Sequence, residues 1–266
     1  MKETSLSSAS AQRQSGELVK TSLKISIIVP ALNEGEGLRP FLEHLRERAP
    51  SAELILVNAA GSESVPESVA ELCDHALTSH RGRATQMNAG AAVASGDVLW
   101  FVHGDCQVPH RCLEEITRTL QDRQVVGGCF RIRFARRNLI YRVSDAGGNL
   151  AVELFGRCYG DHGIFCRREE FAAVGGYPEL PLLEDAEFYR LLRQRGPTRQ
   201  LPSKIVPSPR RYEEIGLYRL SATYFLLSAL YILRVPIPLL ARIYDRLCLC
   251  RNEPARSARP PYGQRE

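Results

Sequence analysis

Asp97-Val98-Leu99-Trp100-Phe101-Val102-His103-Gly104-Asp105 joins an unbroken apolar run to a histidine, a glycine and an aspartate. The run has the character of a strand buried on both faces of a parallel sheet, continuous rather than alternating. Its polar end falls where such a strand emerges, and open α/β sheets bind ligands outside the carboxyl ends of their strands. A carboxylate and an imidazole are thereby carried to the edge where folds of this class do chemistry.

Working outward, Ile25-Ser26-Ile27-Ile28-Val29-Pro30 reads as a first strand stopped by its proline. Glu53-Leu54-Ile55-Leu56-Val57 reads as a second, ending at Asn58. Between them Leu38, Phe41, Leu42 and Leu45 recur at the helical period. Ser64-Val65-Pro66-Glu67 has a capping-box pattern, which predicts a helix burying Val65, Val69, Leu72 and Ala76. A small-residue helix is expected over residues 84–95 and another over 109–122, followed by a strand over 125–134. Residues 184–195 read as a helix with Phe188, Leu191 and Leu192 inward, closed by Gly196 and Pro197. This order predicts an α/β fold with a mostly parallel, doubly wound sheet in its first half and a mixed second half.

The 266 residues suffice for one large α/β domain, and 44% hydrophobic with 24% charged residues is ordinary globular material. A net charge of +5 is too small to argue for nucleic acid, and it suits an anionic substrate or an anionic membrane surface equally. The eight cysteines, Cys73, Cys106, Cys112, Cys129, Cys158, Cys166, Cys248 and Cys250, form no CxxC pair. That spacing argues against a zinc site or a disulfide framework and for buried or free thiols in a reducing compartment. Residues 1–23 and 249–266 are polar and read as disordered ends, with no apolar core of a signal peptide near the start. The catalytic domain is expected over 24–215 and a helical element over 216–248.

Three strand ends converge on one edge: Pro30, Asn33 and Glu34 after the first, Asn58 after the second, His103 and Asp105 after the third. Neither GxGxxG nor GxxxxGK[ST] follows the first strand, so a nucleotide held here needs side chains and a metal rather than a glycine-rich cradle.

At these residues the chain resembles the family 2 glycosyltransferases of the GT-A fold. Ser26-Ile27-Ile28-Val29-Pro30-Ala31-Leu32-Asn33-Glu34 is similar to the family's opening strand and loop, and Val57-Asn58-Ala59-Ala60-Gly61-Ser62 stands at its Asp-Gly-Gly-Ser segment. His103-Gly104-Asp105 stands at the DXD motif, and Leu183-Glu184-Asp185 resembles the pair that includes the catalytic base. The stretch from Arg81 to Gly90 and Gly160-Asp161-His162 resemble more narrowly the radical-SAM and selenodomain-associated subfamily. The likeness spans about residues 24–245.

The resemblance implies a cytoplasmic enzyme that moves a sugar from a nucleotide-sugar donor to a hydroxyl acceptor. Asp185 would be the general base and Glu184 its orienting partner. The donor would be held by Pro30, Asn33, Glu34, Asn58, Arg81, Arg83, Asn88 and Gly104, and Asp161 and His162 would line the acceptor side. A divalent cation, Mg or Mn, would sit on Asp105, with His103 as a second ligand. Asn58 and His103 depart from the family's aspartates, which keeps a non-catalytic nucleotide-binding or scaffold relative as the alternative. A nucleotidyltransferase is disfavoured, because Ala31-Leu32-Asn33-Glu34-Gly35 carries no Arg or Lys.

Two readings stand for residues 218–247, where Leu220, Tyr224, Leu227, Leu230, Tyr231 and Leu233 precede Arg234, Arg242 and Arg246. The stretch is either an amphipathic element lying in the membrane interface or a helix packed on the catalytic domain or in a dimer contact. The first makes the protein peripheral on the inner membrane face and its acceptor lipid-linked.

Overall fold

A computed structural model describes residues 23–248 apart from 33, 35–37 and 137. The readings of residues 1–22 and 249–266 as disordered ends, and of Asn33 as a donor contact, lie outside the described residues. The first half runs β1 (Ile25–Ala31), α1 (Leu38–Arg48), β2 (Glu53–Ala59), α2 (Glu67–Ala70), β3 (His75–Ser79), α3 (Arg83–Val93) and β4 (Val98–Phe101). Then follow β5 (Cys106–Gln107), α4 (Cys112–Thr119), β6 (Gly127–Ile132), α5 (Leu139–Phe155), β7 (Phe165–Arg167), α6 (Arg168–Val174), α7 (Glu184–Arg195) and β8 (Thr198–Pro207). Helices α8 (Arg210–Ile215), α9 (Leu217–Ile232) and α10 (Ile237–Cys248) complete the described chain.

Eight strands form one mixed sheet in the order β3-β2-β1-β4-β7-β6-β8-β5. The β1, β2, β3 and β4 set is parallel throughout, whereas β7 is antiparallel to both β4 and β6. Strand β4 is thus the last of the parallel set, and the chain beyond Phe101 leaves the sheet where its direction changes. Pro30 does not stop β1, which continues to Ala31 opposite Asn58. The Ile28 carbonyl accepts from Val102 N–H at 3.0 Å. Strand alternation turns Pro30 toward the same side, where β4 has already ended, so its missing N–H leaves no ladder bond unmade.

The segment expected to be one helix through Ala76 divides instead. Helix α2 is a single turn with no side-chain cap at Pro66, and His75–Ser79 forms β3. The parallel partner β2 is available from Ile55↔His75 to Ala59↔Ser79, and that tertiary pairing overrides the local helical pattern. Helix α5 has no counterpart in the sequence reading. Its apolar residues face two ways, with Tyr141 and Val152 buried and Leu139, Val143, Leu150, Leu154 and Phe155 exposed, so no single stripe marks it.

Two core layers sandwich the sheet. The first packs α1 and α4 through Leu38, Leu42, Leu45 and Ile116 against Ile27, Leu56 and Trp100. The second packs α3 and α7 through Met87, Phe188, Tyr189 and Leu192 against Ile28, Val57 and Phe101. The small residues of α3 serve close approach, since a Cβ on Gly90 would stand 2.5 Å from the Ile28 Cγ2 methyl. A third cluster joins Phe134 and Tyr141 to Tyr212, Leu220, Leu227, Leu240 and Tyr244, seating the C-terminal helices on α5.

The entry to the sheet is fixed by a buried carboxylate. Glu53 accepts from the Ser26 hydroxyl and, at 2.7 Å each, from the Ser95 amide and hydroxyl. Burial alone would raise its pKa, but these hydrogen bonds outweigh it and hold the carboxyl down to about 2. The folded carboxyl therefore binds its proton more weakly than the unfolded one. Its stabilisation, about 2–3 kcal/mol, is present above the ordinary value of 4.5 and is lost as pH falls from there toward 2. Glu53→Gln is expected to lower Tm at pH 7 and to flatten the acid limb of the stability curve. Tm measured between pH 7 and pH 3 checks both, and a variant with an unchanged acid limb would contradict this assignment.

Candidate active site

Beyond β4 the chain turns through His103, Gly104 and Asp105. Gly104 lies against α1, where a Cβ would stand 3.1 Å from Leu38. The His103 ring is largely buried. Its Nδ1 is 3.9 Å from Asp161 Oδ1, and its Nε2 has no hydrogen-bond partner in the protein. Burial, with the Arg83 charge behind it, lowers the His103 pKa, so the imidazole is neutral. Burial and then the Asp161 charge raise that of Asp105.

Helix α7 delivers the acidic pair. Leu183, just before it, takes φ +63°, a left-handed conformation that is strained for a branched side chain. That turn presents Glu184 and Asp185 from the first turn of the helix, both buried. Arg83 Nε meets Glu184 Oε1 at 2.6 Å. Asp185 Oδ1 is buried and unpartnered. Burial raises the pKa of both carboxyls; Arg83 opposes this in each, while Asp161 adds to it at Asp185 and Asp185 adds to it at Glu184.

A single 3-10 turn, Gly160–His162, closes the site from the other side. A Cβ on Gly160 would lie 2.3 Å from the His103 ring and 2.6 Å from Asp185 Oδ2. Only glycine lets the turn approach both side chains at once. His162, expected on the acceptor side, instead buries its ring in the core, with Nδ1 2.9 Å from the Phe130 carbonyl. Asp161 beside it is exposed toward His103.

The remaining expected donor contacts separate. Arg81 and Arg83 line one cavity of about 450 Å³ together with Thr85, Glu179 and Glu184. Asn58 is buried and its amide serves its own loop, accepting from Ser62 Oγ at 2.7 Å and donating to the Glu63 carbonyl at 2.9 Å. Asn88 does not face this cavity: its amide accepts from Tyr177 N–H at 2.8 Å and donates to the Tyr177 carbonyl at 2.9 Å. Two residues escaped the sequence reading. Gln86 donates to the Ala31 and Val57 carbonyls at 2.7 and 2.8 Å, tying α3 to the ends of β1 and β2. Arg210 forks onto Glu34 at 3.2 Å through both terminal nitrogens, and one of them is 3.8 Å from Asp105. Gln86 could have been suspected as a polar residue on an otherwise apolar helix face; nothing local marks Arg210.

Of the two residues expected to hold a cation, Asp105 has its pKa raised by burial and by the charge of Asp161, which a cation would relieve, and His103 keeps a bare Nε2.

The sequence profile described as glycosyl transferase family 2 matches residues 26–173. Among solved structures, the mannosyltransferase PcManGT from Pyrobaculum calidifontis, in complex with GDP-Man and Mn2+, is similar at a TM-score of 0.59 and 17% identity. That match covers 85% of this chain and 70% of the other. S. aureus TarS 1-349 matches at 0.55 and 14% identity over 75% of this chain and 64% of its own. The same TarS fragment in complex with UDP-GlcNAc matches at 0.51 and 14% identity, over 68% of this chain and 56% of its own. At these identities the likeness is one of fold. No curated protein matches the chain in sequence.

Gly160→Ala is expected to lower Tm, because the methyl has to push His103 or Asp185 out of place. Gly147→Ala, in α5 with nothing within 4 Å of the added carbon, is expected to raise stability by about 0.5–1 kcal/mol. Thermal melts of the two single variants check the contrast, and equal shifts would refute the packing argument.

Proposed function

Because this chain belongs to glycosyl transferase family 2, we propose that it moves a hexosyl group from a nucleoside diphosphate sugar to a hydroxyl acceptor, in one displacement that inverts the anomeric carbon. The observation that carries the reading is Asp185: a buried carboxylate with one unpartnered oxygen, set beside His103 and Asp161 and backed by the Arg83–Glu184 pair.

The acceptor hydroxyl would give its proton to Asp185 Oδ1 as its oxygen attacks the anomeric carbon. A carboxylate whose pKa is raised by burial is a stronger base than one in water, which favours this transfer. Glu184 is held against Arg83 and orients rather than accepts. Arg81 and Arg83 line the cavity where donor phosphates would be met, and a guanidinium reads phosphate bidentately. Arg210, already between Glu34 and Asp105, is a further cation for the diphosphate. Asp105 and His103 Nε2 would hold the divalent ion, which when bound neutralises the departing diphosphate. The imidazole favours Mn over Mg, since magnesium prefers oxygen ligands.

A cavity of about 610 Å³ opens against α7, lined by Arg157, Arg190, Arg193 and Arg234 with Tyr231 and Val235. Guanidiniums beside apolar residues suit an acceptor that carries an anionic group on an apolar tail. Exposed Phe225, Leu233 and Leu239 on or beside α9 and α10, together with Leu154 and Phe155 of α5, supply a face for a membrane surface. Among the described residues no helix is long and apolar enough to cross a membrane.

The test is a panel of nucleotide-sugars with Mn2+ or Mg2+, read by thermal shift and by donor turnover. Asp185→Asn is expected to cut transfer by about 10²–10⁴-fold while donor binding persists. Asp105→Ala is expected to abolish the metal dependence of donor binding. If no donor shifts Tm and neither substitution changes turnover, the protein is a binding relative and this reading fails.

A further inference from the structure

We propose that Cys129, Cys158 and His162 form a zinc-binding site in the core behind the active-site turn. All three side chains are buried, at 0%, 0% and 1% exposure. Their sulfur and ring-nitrogen atoms lie within 4.8 Å of one another. They arrive from separate segments: Cys129 from the middle of β6, Cys158 from the loop after α5, and His162 from the 3-10 turn.

The donor set is one zinc takes up readily, two thiolates and an imidazole. Two thiolates balance the ion's charge, so the loaded site is neutral and its burial carries no unpaired charge. One nitrogen of the imidazole is already engaged by the backbone. Its Nδ1 donates to the Phe130 carbonyl at 2.9 Å, which leaves the lone pair on Nε2, the backbone counterpart of a carboxylate behind a metal-bound histidine. Without an ion the thiols share hydrogen bonds with each other and with His162, and their other partners are distant. Cys158 Sγ is 3.6 Å from the Tyr159 carbonyl, and Cys129 Sγ is 3.9 Å from the Tyr189 hydroxyl.

The sequence hides this site, because no two of its ligands have the spacing of a zinc motif. Its place in the fold gives the ion a consequence. His162 belongs to the same turn as Gly160, whose backbone abuts His103 and Asp185. An ion joining that turn to β6 and to the end of α5 would fix how closely Gly160 and Asp161 approach the catalytic side chains. The three ligands are positioning residues, and the site stands or falls independently of the sugar transfer proposed above.

The experiment uses the full chain, purified under reductant, stripped with chelator and reloaded with zinc or with cobalt as a spectroscopic substitute. One zinc per chain is expected, and the cobalt form is expected to show sulfur-to-cobalt charge-transfer absorption in the near ultraviolet. That band requires thiolate ligands, so it separates this site from any ion on Asp105. Cys129→Ser and Cys158→Ser are each expected to lose the band and most of the bound zinc, whereas Cys73→Ser, at a half-buried thiol away from the cluster, keeps both. Should the serine variants fail to fold, alkylation of the wild-type protein decides. Zinc is expected to shield Cys129 and Cys158 specifically, and equal labelling of stripped and loaded protein overturns the proposal. So does a wild-type protein without the band, a band that survives both substitutions, or a Cys129–Cys158 disulfide in protein kept under reductant.

Discussion

The Arg83–Glu184 contact at 2.6 Å joins the two halves of the sheet, and the chemistry of the site rests on it. Helix α3 belongs to the parallel half and α7 to the mixed half. Glu184 and Asp185 are neighbours in sequence, both buried, with Asp161 close by. Repulsion among those carboxylates would drive protons onto them or open the cluster unless a cation were built into it. Arg83 is that cation, and its position is fixed by the helix it begins. Further along α3, Gln86 grips the ends of β1 and β2, and Asn88 clamps the backbone of Tyr177. One helix thus locates the strand ends, the second half of the fold and the acidic pair relative to one another.

This explains which parts of the molecule could be read from the chain. Strands β1, β2 and β4 are continuous apolar runs, and the stripe of Leu38, Phe41, Leu42 and Leu45 is buried as its period requires. His103, Asp105, Glu184 and Asp185 stand at the ends of such elements, so their convergence follows from topology alone. Strand β3 escaped because His75-Ala76-Leu77 has little strand character of its own and takes its shape from β2. Asn88 looked like a ligand contact because an amide on a small-residue helix has no obvious structural duty. Its duty is a long-range one, to a residue 89 positions away, and local pattern carries no trace of that. Arg210 and the Cys129, Cys158 and His162 group were invisible for the same reason.

The site departs from ideal backbone and packing where function asks for it. Leu183 holds a left-handed conformation immediately before Glu184, and Gly163 holds one immediately after His162. A β-carbon on Gly163 would run into Ile205 at 2.3 Å, as one on Gly160 would run into His103. Such positions cost about 1–3 kcal/mol each where a side chain is present, and they persist only if the surroundings over-determine them. Here the surroundings do. The first turn of α7 is pinned by Arg83, and the ring of Trp100 donates to the Gly163 carbonyl at 3.2 Å from the strand that feeds the site.

The same reasoning bears on His103. An unpartnered ring nitrogen in a largely buried histidine costs about 1–3 kcal/mol if nothing ever meets it. Asp161 faces the other ring nitrogen, Nδ1, at 3.9 Å, and the Gly160 turn, having no side chain, offers Nε2 no partner. The bare Nε2 of His103 and the Asp185 carboxylate, whose Oδ1 is also bare, both lie against the Gly160 turn. On the function proposed above, such a pair would serve a turn at which a metal-bound donor and an attacking hydroxyl meet, one atom giving a lone pair and the other accepting a proton. The unfavourable burial in the free protein would then be offset only with both substrates present, coupling binding to the arrangement that reacts.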